Sequence, residues 1–283
     1  MQRTGFFKKI PLFQVDAFTA VPFAGNPAAV CLMDEFPQPE TMRKIAMEMN
    51  LSETAFVVPA GSSPADPAGL FRIRWFTPTV EVPLCGHATL AASHVLFHEI
   101  GMPCEQIFFD SPGGPLSAKV ADEGITLDFP INRPQPAQPP EEVLSAMGIE
   151  AAVDVQIASQ ALMLLVRVPD EEAVRRLSPD FPAMLRADRG SGKYEGVIVT
   201  STSGDHDFVS RYFGPWEGLN EDPVTGSAHT VLAPYWSRIM GKDSFRAFQA
   251  SARGGELVLR IAEDRVEITG TACVVFRGEL LIE

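Results

Sequence analysis

The sequence predicts an α+β fold in two similar halves, each a mixed or antiparallel sheet around a helix. Three observations predict it: a motif that occurs twice, strands that follow one another as hairpins, and a proline-rich stretch near the middle. The first copy of the motif is Arg74-Trp75-Phe76-Thr77-Pro78, followed by Pro83-Leu84-Cys85-Gly86-His87-Ala88. The second is Arg211-Tyr212-Phe213-Gly214-Pro215, followed by Pro223-Val224-Thr225-Gly226-Ser227-Ala228. Each reads as a strand, a Pro/Gly turn, and a glycine that opens an apolar helix. From the proline of Phe-x-Pro to that glycine the spacing is 8 residues in one copy and 11 in the other.

The remaining elements follow in order. Residues 12–18 alternate apolar and polar, Pro22, Gly25, Asn26 and Pro27 make a turn, and 28–33 return as a strand. Residues 39–49 carry Met42, Ile45, Ala46 and Met49 at helical spacing. Strands are expected at 54–58 and 71–76, a helix at 87–99, and a hairpin of 116–121 with 125–129 around Asp122-Glu123-Gly124. Pro130, Pro134, Pro136, Pro139 and Pro140 then read as a semi-rigid connector. Beyond it come strands at 162–168, 194–200 and 208–213, a helix at 227–240, and a hairpin of 256–261 with 265–269. The expected domains are 1–130, joined by a last strand at 272–283, and 131–271.

Composition excludes several functions. The net charge of −13 repels nucleic-acid phosphates and anionic membrane surfaces. The N-terminal residues have no apolar run of signal-peptide length, and no stretch approaches a membrane span. A cytoplasmic protein is expected. Cys31, Cys85, Cys104 and Cys273 form no Cys-x-x-Cys pair and no metal-ligand pattern with histidine. His94 and His98 stand at i and i+4 without a third ligand at suitable spacing, so they read as one helical face. No Gly-x-Gly-x-x-Gly or Walker-type loop supports a nucleotide.

The two helix starts are the chemical signal. Free N–H groups and partial positive charge at a helix N-terminus favour anions. Glu53 stands between an expected helix and an apolar strand, and partial desolvation suits a carboxylate to proton transfer. His87 follows Gly86, where the positive helix end disfavours imidazolium and favours a neutral ring. Asp222 and Ser227 flank the second helix start, where binding a ligand and capping the helix are both open.

Five segments carry a resemblance: Val15-Asp16-Ala17-Phe18-Thr19, Gly25-Asn26-Pro27-Ala28, Asn50-Leu51-Ser52-Glu53-Thr54-Ala55-Phe56, Cys85-Gly86-His87-Ala88-Thr89 and Asp222-Pro223-Val224-Thr225-Gly226-Ser227-Ala228. With Gln249-x-Ser251-x-Arg253-Gly254-Gly255 they run in order over almost the whole chain. The sequence thereby resembles the phenazine-biosynthesis PhzF-like family, which has the diaminopimelate-epimerase-like fold. The resemblance implies two pseudo-twofold-related domains with a cleft between them, each a mostly antiparallel sheet wrapped around a central helix. It implies Glu53 as catalytic acid/base, with His87, Asp222 and Ser227 beside the substrate. Gly86 and Gly226 are expected to meet across the cleft and give their N–H groups to a carboxylate.

Diaminopimelate epimerases use two opposed cysteines, one before each such glycine. Here Cys85 fills the first position and Thr225 the second. A threonine hydroxyl is too weak an acid or base to replace a thiolate, so Cys85 is expected to be a packing residue or pocket wall. The function expected is a proton shift on a small carboxylate, without cofactor or metal, in a homodimer. A cofactor-independent amino-acid racemase or epimerase, and a non-catalytic binding protein that kept the fold, are the alternatives. Loop residues 61–69 and 188–193 carry no readable motif.

Overall fold

The structure, a computed structural model, describes residues 8–61, 69–138, 140–188, 192 and 194–282. Most of the loops at 61–69 and 188–193 lie outside the described residues. The chain divides into two compact units. One contains residues 1–23, 27–127 and 270–283; the other contains 24–26 and 128–269.

In the first unit, β1 (Lys8–Ala17) and β2 (Asn26–Leu32) precede helix α1 (Pro39–Met49). Then come β3 (Glu53–Pro59), β4 (Leu70–Phe76), the short β5 (Glu81–Val82), helix α2 (Gly86–His94), β6 (Gln106–Asp110), β7 (Leu116–Ala121) and β8 (Gly124–Pro130). Strand β3 runs parallel to β2 and antiparallel to β4; β4 runs parallel to β6, and β6, β7 and β8 form an antiparallel meander.

The second unit repeats the pattern. After β9 (Gln135–Pro136) and α3 (Glu141–Ala146) come β10 (Asp154–Ala158), β11 (Met163–Arg167), α4 (Glu171–Arg175) and α5 (Phe181–Asp188). They are followed by β12 (Gly196–Thr202), β13 (Phe208–Gly214), β14 (Leu219–Asp222), α6 (Gly226–Met240), β15 (Ser244–Gln249), β16 (Gly255–Ala262) and β17 (Arg265–Gly270). Here β12 is parallel to β11 and antiparallel to β13, β13 is parallel to β15, and β15 to β17 form the meander. The last strand, β18 (Ala272–Ile282), pairs antiparallel with β1.

Each unit is therefore a mostly antiparallel sheet around one buried helix. In α2 every residue from His87 to Ser93 is buried, and in α6 every residue from Ala228 to Trp236. A helix buried all round belongs at a core rather than on a surface. The amphipathic α1 instead lays Met42, Ile45 and Ala46 on a cluster with Ile10, Cys31, Phe56 and Val58. Its ends follow the sequence: Pro39 begins it, and Asn50 closes it in the left-handed conformation at φ 52°.

The chain passes from the first unit to the second at residues 127–128, beside the expected boundary at the proline-rich stretch. That stretch belongs to the second unit and lies hydrogen-bonded along it: Ile131 N donates to Asp264 O, Ala137 N to Val155 O, and Gln135 and Pro136 pair with β10. Proline lacks only the N–H, so an edge segment tolerates it while its carbonyls and neighbours still pair.

Candidate active site

The repeated motif builds the same junction twice. Arg74 on β4 grips Glu81 on β5 through two bonds of 2.6 Å, and Arg211 on β13 grips Glu221 on β14 at 2.7 and 2.9 Å. Each forked pair fixes the strand just before a helix start. Cys85 and Thr225 are the N-cap residues, both extended, and neither side chain caps its helix.

In the first unit, α1 ends at Met49, and Glu53 opens β3 opposite Ala28. Its carboxylate Oε2 lies 3.2 Å from Nε2 of His87, with side chains 18% and 5% exposed. Both atoms are fully buried, and neither has an aligned hydrogen-bond partner among the described residues. The other face of the ring meets Cys85, whose Sγ is 3.5 Å from Nδ1. Burial raises the thiol above its ordinary range, and the Glu53 charge adds to that. Burial opposes an imidazolium at His87, but the neighbouring Cys85 sulfur and Glu53 carboxylate outweigh it and raise the ring well above its ordinary value. The expectation of a neutral His87 is thus corrected. A carboxylate at 3.2 Å is a stronger local influence than the helix end, and favours the charged ring.

Glu53, Cys85 and His87 offer ligand atoms within 4.8 Å of one another, a set that can hold a metal ion. The detailed geometry does not fit one. Sulfur approaches Nδ1 while the carboxylate approaches Nε2, and one ion cannot bind both close pairs through a single ring nitrogen. His94 and His98 pack with ring centroids 4.7 Å apart, with no third ligand found among the described residues. Burial, then the His98 charge, pushes His94 down to about 4.

In the second unit, Asp222, Thr225, Gly226 and Ser227 gather at the start of α6. Thr225 Oγ1 donates to Asp222 Oδ2 at 2.5 Å, and Asn26 Nδ2 to Asp222 Oδ1 at 2.8 Å and Val224 O at 2.9 Å. Gln249 Nε2 donates to Asp222 O and Thr225 Oγ1, while its Oε1 accepts from Thr225 N. Ser227 is half-buried, and its hydroxyl has no hydrogen-bond partner among the described residues. Below it, His229 Nδ1 lies 2.8 Å from Thr225 O, and burial pushes this ring down to about 4.

The six expected residues thus fall into two groups, one in each unit. Glu53, Gly86 and His87 form one; Asp222, Gly226 and Ser227 form the other. The sequence reading missed Cys85 as a polar partner, and it missed Asn26 and Gln249 altogether as supports of Asp222. Both stood in quoted motifs, Gly25-Asn26-Pro27-Ala28 and Gln249-x-Ser251, and a buried amide in such a motif was the available signal. A separate cavity of about 350 Å³ lined by Asn132, Arg133, Gln135 and Ser159 contains none of these residues. No helix among the described residues is long and apolar enough to cross a membrane.

Residues 15–278 match the family described as phenazine biosynthesis-like protein. An uncharacterized isomerase of Pseudomonas aeruginosa is 47% identical over 96% of this chain and 98% of its own. Phenazine biosynthesis-like domain-containing protein 1 of mouse is 43% identical over 96% and 99%. The crystal structure of a PhzF family protein of Enterococcus faecalis superposes with a TM-score of 0.88 at 38% identity, covering 97% of this chain and all of the other. The chain belongs to the phenazine biosynthesis-like family, and its fold is the diaminopimelate-epimerase-like one.

Proposed function

We propose that this protein is an isomerase that shifts a proton within a small carboxylate substrate, with Glu53 as general acid/base. The observation that carries the reading is the Glu53–His87 pair: two buried polar atoms 3.2 Å apart, neither with an aligned partner. On this reading Glu53 removes a proton from one carbon and returns it to another on the same face. The protonated His87 offers Nε2–H to negative charge developing beside it.

The start of α2 at Gly86, which has no side-chain cap, is assigned to a substrate carboxylate, and Asp222, Gly226 and Ser227, within the second unit, to polar groups of a ligand. The unused Ser227 hydroxyl, held beside the Asp222 cluster at the start of α6, supports that assignment. The racemase alternative needs two bases on opposite faces of one carbon. With reacting atoms about 3 Å from each base, they stand about 6 Å apart. Cys85 and Glu53, within 4.8 Å, leave no room for a carbon between them.

The test combines a thermal-shift screen of small carboxylates with solvent-deuterium incorporation into those that bind. Wild-type protein is expected to label its substrate, and Glu53→Gln to abolish labelling without loss of fold, since an amide accepts no proton at neutral pH. Binding without labelling supports a non-catalytic protein; labelling by the Gln variant at near wild-type rate removes Glu53 from the chemistry.

A further inference from the structure

We propose that Cys85 is a positioning residue: its sulfur holds Nδ1 of His87 and so directs Nε2 at Glu53. The inference rests on the proposed function only for its consequence in turnover.

The geometry singles out this cysteine. Cys31 is fully buried in an apolar cluster, where burial pushes its thiol up to about 12. Cys85 is as sheltered, at 6% exposed, yet its sulfur faces a ring nitrogen at 3.5 Å. Its backbone is anchored from the next turn, because Thr89 Oγ1 donates to Cys85 O at 2.5 Å and Thr89 N to the same carbonyl at 3.1 Å. Its extended conformation, φ −145° and ψ 113°, leaves the side chain free of capping.

A histidine with one nitrogen held has its ring orientation and proton placement set by that contact. With the ring protonated, Nδ1–H donates to the thiol sulfur and Nε2–H faces the carboxylate. The ionisable groups around the ring are Cys85, from its own helix start, and Glu53, from β3. Flipping the ring would put carbon against both, so the sulfur contact selects one orientation. Cys85 acts here through His87, not as a base, consistent with the missing partner thiol at Thr225.

The experiment is ¹⁵N NMR of histidine-labelled protein, which needs no substrate. His87→Gln assigns the signal, and Cys85→Ser, Cys85→Ala and Cys85→Val are compared with wild type. Serine supplies a shorter partner for Nδ1; alanine and valine supply none, and valine keeps the volume. The expected result is wild-type-like ring signals in the serine variant. In alanine and valine, proton binding should be about tenfold weaker, because a buried N–H loses its acceptor. Unchanged ring signals in a folded alanine or valine variant overturn the proposal. So does a serine variant as perturbed as alanine, because volume and not the contact then matters. Should alanine not fold, valine and serine alone decide. Deuterium exchange by Glu53→Gln tests the proposed function separately and leaves this readout untouched.

Discussion

Replacing Gln249 with alanine is expected to destabilise the protein by about 4 kcal/mol, although Gln249 touches no expected reacting atom. The side chain is fully buried and ties β15 to the start of α6. Its Oε1 accepts from Thr225 N at 2.8 Å, and its Nε2 donates to Asp222 O at 2.8 Å and Thr225 Oγ1 at 3.1 Å. Alanine strands a backbone N–H and a backbone carbonyl, each at a cost of about 1–3 kcal/mol, so about 4 kcal/mol together. Surface loss is a poor guide here, because the cost lies in what the deletion leaves behind. Urea unfolding, followed by tryptophan fluorescence, reads the change as a lower midpoint at constant slope. Gln249→Glu separates the two halves of the amide: it keeps an acceptor for Thr225 N but loses the donor, and it brings a second carboxylate beside Asp222. It should be at least as damaging. Gln106→Ala, at an exposed position, is the control and should change stability by less than about 0.5 kcal/mol. A loss below about 1 kcal/mol in Gln249→Ala would refute the view that this amide holds the helix start in place.

Acid should weaken the protein through His229. The folded ring titrates at about 4 and a free histidine near 6.5, so the unfolded chain takes the extra proton between those values. Stability from this group is full above about pH 6.5 and falls by up to about 3 kcal/mol as pH drops towards 4; His229→Gln should flatten the profile by that amount. The protein is expected to be a homodimer without disulfides, which sedimentation of a monomer at micromolar concentration would contradict.

Much of the fold was legible because the signals were periodic and local. The helix at 39–49 shows its apolar face in the sequence, and both hairpins show turn residues between alternating strands. The central helices were legible as apolar runs behind a glycine. The proline-rich stretch marked where the chain changes units, but proline count says nothing about where the flanking N–H groups go, and Ile131 and Ala137 send theirs into the second unit. The Cys85–His87 contact was hidden by a rule that holds only inside helices, where i and i+2 face apart. Cys85 stands just outside α2 in extended conformation, so its side chain can turn over the first helical residues. Asn26 and Asp222 lie 196 residues apart. No local pattern joins them; only the folded chain does. Glu53 itself came from the resemblance, since its residue type and place in the chain were equally those of a surface turn.

The contrast between Cys85 and Thr225 leads to a last prediction, on Thr225→Cys. The substitution puts a thiol before each of the two helix-opening glycines, and on sequence grounds it restores the arrangement of a two-thiol epimerase. The surroundings of Thr225 argue otherwise. Its hydroxyl donates to the Asp222 carboxylate at 2.5 Å and accepts from Gln249, in a buried cluster with no cation among these contacts. A thiol there faces the same carboxylate. Burial and that negative charge both oppose a thiolate, so the new cysteine should ionise above the ordinary value of about 8.5. The exchange of a strong O–H donor for a weak S–H donor should also cost about 1–2 kcal/mol of stability. Alkylation rates against pH, with the modified cysteine identified by mass spectrometry, measure the first effect, and urea unfolding the second. Combined with Glu53→Gln, the variant should give no deuterium labelling of any substrate that the wild type labels. A thiol at 225 that ionises below about 8.5, or labelling restored in the double variant, would show that Asp222 does not control this position. The residue before the second glycine would then decide between a single-carboxylate isomerase and a two-base epimerase.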